Sequence, residues 1–215
     1  MRIFLSKHWL KIELLAIFVI LPAILMLVKR RMWIVLTVWA TSAAAWLVLR
    51  RYYGYRWREE WNGAAVNKAT VERILVRFIP YAIAMLLFTW GVVPEHLFSL
   101  PFERPRVWMM VMVLYPLLSV IPQEIIFRSF FMKRYAPLIP KSGIRMANAL
   151  AFGWVHIIMQ NWIAVSFCMI GGWLFADTYR RTRSLAAVCL EHALYGCYVF
   201  TIGLGIYFYH GNTMH

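Results

Sequence analysis

Acid is scarce in this chain: 9 Asp and Glu stand against 23 Lys and Arg over 215 residues, for a net charge of +14. Cysteine is scarcer. Cys168, Cys189 and Cys197 all sit inside apolar runs, none in CxxC spacing, which argues against a disulfide framework and a cysteine-built zinc cluster. No HExxH pair occurs, so any bound metal would draw its ligands from separate segments. No internal repeat or low-complexity tract is present, and the first apolar run ends in Lys29-Arg30-Arg31 rather than a small-residue cleavage site. It reads as a retained span, not a removed signal peptide.

What the chain has in abundance is apolar residues, 62% hydrophobic with a mean hydropathy of +0.63. The class this implies is all-α, a polytopic transmembrane bundle of about seven spans. The apolar runs are 9–28, 32–49, 74–93, 107–131, 146–159, 162–176 and 185–209. The basic residues lie between them, where they face anionic headgroups, so the excess charge points to membrane lipids as partners and not to nucleic acid. Residues 50–73 mix tyrosine and tryptophan with arginine, as suits a segment lying on the headgroups. Lys11 and Glu13 are near enough to a span end to snorkel or pair. Gly171-Gly172 would permit close helix approach. Spans five and six, separated only by Gln160-Asn161, should be antiparallel neighbours.

Seven spans alternate the loops between two sides, and the sides differ in charge. Arg2, Lys7, the loops at 50–73 and 133–145, and Arg180, Arg181 and Arg183 give 15 basic residues on one side; Lys29, Arg30, Arg31, Arg104 and Arg106 give 5 on the other. The expected orientation therefore puts the N-terminus in the cytoplasm and the C-terminus outside.

One stretch breaks the apolar pattern with chemistry: Ile121-Pro122-Gln123-Glu124-Ile125-Ile126-Phe127-Arg128-Ser129-Phe130-Phe131. On a helix Glu124 and Arg128 are four apart and share a face, while Gln123 points about 100° away. Ionisable groups inside a span are costly and by default mark a functional site; a structural ion pair between helices is the plainer reading. At a helical rise of about 1.5 Å per residue, Glu124 lies roughly 13 Å from Lys133, His156 roughly 16 Å from Arg145, and His192 roughly 12 Å from Ser184. Three spans thus bring Glu, His and His to a common depth. Such a set could hold a divalent metal through His156, His192 and Glu124, or activate a water by general base catalysis.

At these residues the sequence resembles the CPBP family, the membrane proteases that include type II CAAX prenyl proteases and bacteriocin-immunity homologues. The family pattern runs EExxxR, FxxxH, then HxxxN or a relative. Here it reads Gln123-Glu124-Ile-Ile-Phe-Arg128, Phe152-Gly-Trp-Val-His156 and His192-Ala-Leu-Tyr-Gly196. The resemblance covers roughly residues 107 to 200, dividing the chain into N-terminal spans with their interfacial loop, 1–106, and a core bundle, 107–215. It implies a multi-pass protein of a bacterial cytoplasmic membrane that hydrolyses a membrane-associated or prenylated peptide or protein.

In the family the first Glu and the FxxxH His are assigned to water activation, and the third-motif His and Asn to oxyanion stabilisation. Those roles fall on positions 123, 156, 192 and 196, with Arg128 and Phe152 in support. Gln123 replaces the first Glu and cannot accept a proton at neutral pH, and Gly196 replaces the Asn. Asn161 and Tyr195 are candidates for the lost donor. Three readings stay open: Glu124 as the base, a non-hydrolytic binding or immunity protein, or Gln123 standing where a parent enzyme has an acid. A transporter would use the same buried groups, but the chain lacks paired Gly/Pro-interrupted spans in corresponding halves. The charge asymmetry makes one direct prediction: a reporter fused after His215 should behave as exported, and a cytoplasmic signal from that fusion would overturn the orientation.

Overall fold

The structure is a computed structural model, and it describes residues 6–27 and 31–208. Arg2, Lys29, Arg30, the side chain of Arg31 and the end of the seventh expected span at Tyr209 lie outside the described residues. Seven helices carry the apolar runs: α1 Lys7–Leu25, α2 Met32–Tyr53, α3 Lys68–Val92, α4 Pro105–Arg134, α5 Ile144–Met159, α6 Trp162–Thr182 and α7 Leu185–Thr201. No strand occurs among the described residues. Five of the seven are long and apolar enough to cross a membrane, whereas α5 and α7 are shorter apolar helices. Their outward faces carry bare apolar side chains, among them Leu47, Val76, Ile83, Leu87, Trp90, Met110 and Val113, the surface expected of a bundle solvated by lipid.

α4 is the axis of the bundle, and its two internal prolines shape it. Pro116 and Pro122 lack the N–H that would close a regular turn, and wider π-type turns span Pro116–Val120 and Ile125–Phe131. A regular helix would have paired the Pro122 nitrogen with the carbonyl of Leu118. That carbonyl instead accepts the Trp39 indole N–H of α2 at 3.0 Å. A freed carbonyl in hydrocarbon is thereby satisfied by a neighbouring helix.

α5 and α6 form an antiparallel pair joined at Gln160-Asn161, with Gln160 in the left-handed region at φ 56°. Asn161 caps α6 by accepting from Ala164 N–H at 2.7 Å. The close approach rests on Gly172 rather than Gly171. A Cβ at 172 would come within 3.0–3.1 Å of Phe152 and Ala149, and one at Gly153 within 2.9–3.1 Å of Met169 and Val165, whereas Gly171 meets only Phe175 of its own helix.

The segment after α2 docks beneath the bundle while Arg50 and Arg51 at the end of α2 and Arg56 and Arg58 in the segment stay exposed. Glu60 accepts from the hydroxyls of Ser129 and Tyr179. The Asn62 amide donates to the carbonyls of Thr182 and Arg183 at 3.3 Å, covering the end of α6. Ser184 caps α7 and donates back to the carbonyl of Asn62 at 2.9 Å. Residues in this stretch therefore fasten α4, α6 and α7 at one end.

Two ionic clusters lock the helices further. Asp177 of α6 sits among Arg77, Arg145 and Arg181 at 2.8–3.1 Å, and Arg77 also reaches Glu191 of α7 at 2.7 Å. At the end of α4, the fully buried Arg134 meets Glu13 of α1 through Nε at 2.9 Å and Nη2 at 2.8 Å, and the Tyr135 hydroxyl donates to the same carboxylate at 3.0 Å. Removing one member of a buried pair leaves an uncompensated charge. Glu13→Ala should accordingly lower stability by about 3–5 kcal/mol, read as the thermal midpoint in detergent, and an unchanged midpoint would mean that α1 is not held by this contact.

Candidate active site

The polar residues of α4 diverge onto two sides, as their helical spacing requires. Glu124 is fully buried. Its Oε2 lies 2.8 Å from Arg128 Nε, and its Oε1 takes His192 Nδ1 of α7 at 2.7 Å. A carboxylate oxygen only accepts, so this contact places a proton on Nδ1. The Arg128 guanidinium, also fully buried, continues to the Asn148 side-chain oxygen of α5, and the Asn148 amide donates to the carbonyl of Phe127 at 2.7 Å. Phe152 and Phe175 cover the guanidinium at 5.0 and 5.8 Å from their ring centres. Phe175 stacks on the His192 ring at 4.7 Å. Three helices are thus tied through one carboxylate and one guanidinium, with aromatic faces excluding water around them.

Gln123 and His156 face a different space. Both line a cavity of about 270 Å³ whose remaining wall is largely apolar and is shared by α1 and α2 with α4 and α5, with Thr37, Thr41 and Ser119 as further polar groups. The Gln123 amide donates to Ser119 Oγ at 2.6 Å, and its Oε1 is buried without a hydrogen-bond partner among the described residues. His156 sits where α5 tightens into its last, 3₁₀ turn. Its Nδ1 lies 2.7 Å from the carbonyl of Phe152; since a carbonyl only accepts, Nδ1 carries the proton and the neutral ring keeps its free lone pair on Nε2. Among the described residues no other titratable side chain lines this cavity.

His192 lines a second cavity, of about 280 Å³, together with Tyr115, Phe152, Cys168, Phe175, Tyr195 and Gly196. Phe208 lines both cavities. The Phe152 ring is 5.0 Å from that of His156 and 5.5 Å from that of His192. Both imidazoles thus pack against this one ring, His156 lining the first cavity and His192 the second. Among the described residues no three His, Cys, Asp or Glu side chains come together as a metal site. Glu124 and His192, two of the three groups considered for a divalent metal, are bonded to each other.

Of the two candidates for the missing third-motif donor, Asn161 is engaged and Tyr195 borders the second cavity. Asn161 spends its amide on the carbonyls of Met159 and Tyr207 at 3.0 and 2.8 Å. Tyr195 packs edge-on against Phe78 and Phe175, and its hydroxyl has no hydrogen-bond partner among the described residues. The group beside His192 is instead Tyr115, whose hydroxyl lies 3.0 Å from Nε2. Motif reading misses it because Tyr115 precedes the first motif and belongs to none.

The Glu124–Arg128 contact makes a direct prediction. Arg128→Ala should strand a buried carboxylate and cost about 3–5 kcal/mol, read as thermal stability in detergent. A variant as stable as the parent would instead free Glu124 for chemistry.

Residues 105–198 match the family model of the type II CAAX prenyl endopeptidase Rce1-like proteins. No curated protein and no solved structure matches the chain. The matched residues run from the start of α4 nearly to the end of α7, and so contain all three polar motifs and every side chain of the Glu124–Arg128–His192 cluster. Over that core, somewhat less than half of its length, this membrane-helical chain is similar to the Rce1-like type II CAAX prenyl endopeptidases.

Proposed function

We propose that the protein is a peptidase that hydrolyses a peptide bond of a membrane-associated or prenylated substrate by a water activated in the cavity shared by Gln123 and His156. The observation that carries this reading is the His156–Phe152 contact, which leaves Nε2 as an acceptor beside the unpartnered Gln123 oxygen. Gln123 Oε1 holds one hydrogen of the water, and Nε2 takes the other as the water oxygen attacks the carbonyl carbon. The tetrahedral intermediate then breaks its C–N bond as the proton on Nε2 passes to the leaving nitrogen, giving a carboxylic acid and an amine, which separate as carboxylate and ammonium once the acid's proton moves to the amine. Glu124 serves the fold here, because its two oxygens are engaged by Arg128 and His192. The apolar wall of the cavity suits a lipid-modified or transmembrane peptide.

A glutamine positions a water but does not share the proton, so the chain should be a slow enzyme. A positioned carboxylate base is commonly worth about 10² to 10⁴ in rate. Gln123→Glu should therefore accelerate cleavage of a prenylated peptide in detergent or liposomes by about that factor, and adding His156→Ala should remove the gain. Acceleration that survives His156→Ala would take the proton away from His156. Activity lost in Glu124→Gln but not raised by Gln123→Glu would make Glu124 the base.

The amide at 123 also favours a second reading, a non-hydrolytic relative that binds a membrane peptide in the same cavity. Saturable binding of the peptide with no product from either the parent chain or Gln123→Glu would establish it.

A further inference from the structure

We infer that Tyr115 supplies, from α4, the carbonyl-binding donor that the third motif lacks at Gly196. The inference rests on the peptidase reading for its reaction and on three independent features of the structure for its geometry. First, a Cβ built at Gly196 would run into the Tyr115 ring and hydroxyl. The ring therefore occupies the space into which any side chain at 196 would extend, and the two positions are mutually exclusive as built. Second, the Tyr115 hydroxyl lies 3.0 Å from His192 Nε2, the motif residue one helical turn from position 196. Third, Tyr115, His192 and Gly196 line one cavity, so the pair borders a space that a substrate group could enter.

His192 aligns this hydroxyl. Glu124 fixes the ring through Nδ1, and Phe175 stacked on its face prevents it from tilting. The 3.0 Å contact fixes the tyrosine oxygen beside Nε2, and when a carbonyl oxygen enters the cavity the hydroxyl can turn its proton to that oxygen. A donor held in this way suits the negative charge that gathers on a carbonyl oxygen under attack, since it needs no rearrangement as the charge forms. Tyrosine reaches farther than asparagine, which is why it can act from α4 while α7 contributes only the clearance of a glycine.

The test uses the full chain in detergent, with two readouts. The first is cleavage of a prenylated peptide. The second needs no turnover: the affinity for the same peptide with a phosphonamidate at the scissile bond, which mimics the tetrahedral anion, divided by the affinity for the intact amide. Tyr115→Phe should lower kcat and this affinity ratio by about 10² to 10³, the usual effect of one lost oxyanion donor, with the affinity for the amide nearly unchanged. Tyr195→Phe should leave both readouts within a few-fold. Tyr115→Ala combined with Gly196→Asn should recover part of the loss, because the smaller residue at 115 vacates the space an asparagine at 196 requires.

Cleavage by the parent chain that persists in Tyr115→Phe overturns the inference and leaves the peptidase reading standing. An absence of cleavage with a ratio that still falls in Tyr115→Phe overturns the peptidase reading and keeps Tyr115 as the anion donor. A ratio insensitive to Tyr115, with no cleavage, overturns both.

Discussion

The Glu124 carboxylate, buried between the Arg128 guanidinium and the His192 imidazole, is the contact on which the core depends. It joins α4 to α7 directly and, through Arg128 and Asn148, joins α4 to α5. Lipid offers helices little reason to associate by apolar burial alone, so packing and hydrogen bonds between helices carry the assembly. The same carboxylate also orients the imidazole that faces the second cavity. Its structural role and its service to the site are one interaction, and an isosteric amide at 124 would disturb both.

Much of this was legible because it obeys local spacing. The i to i+4 relation of Glu124 and Arg128, the apolar periods of the seven helices and the two-residue break at Gln160-Asn161 are set by helix geometry and turn chemistry. The division of the polar groups between two cavities was not legible. Depth along a span says how far a residue lies from the surface but nothing about which way the helix is turned, and Phe152 packs against both histidines. Tyr115 was hidden for a related reason, since its meaning comes from a missing side chain 81 residues away at Gly196. Glu13 read as a residue near a span end; that its partner is Arg134, on the far side of the sequence, depends on tertiary packing alone.

The N-terminal helices carry none of the three motifs, yet they are part of the chemistry's surroundings. α1 and α2 supply much of the wall around Gln123 and His156, so the shape of that cavity is set in part by residues outside the matched core. Family members that share the core motifs could differ in what they admit simply by changing these two helices. Much of the cavity wall and the motif residues that face it are in this sense encoded in different halves of the chain.

The tryptophan that caps the proline-freed carbonyl of α4 has a consequence for how a membrane-borne chain reaches the cavity. If α2 swung away from α4, the Trp39–Leu118 bond at 3.0 Å would break, exposing a donor and an acceptor to hydrocarbon with no water to replace either, at a cost of several kcal/mol. The bond thereby holds α2 on α4 as a fixed doorpost of the cavity, and any opening toward the bilayer that leaves it intact must be made by other elements.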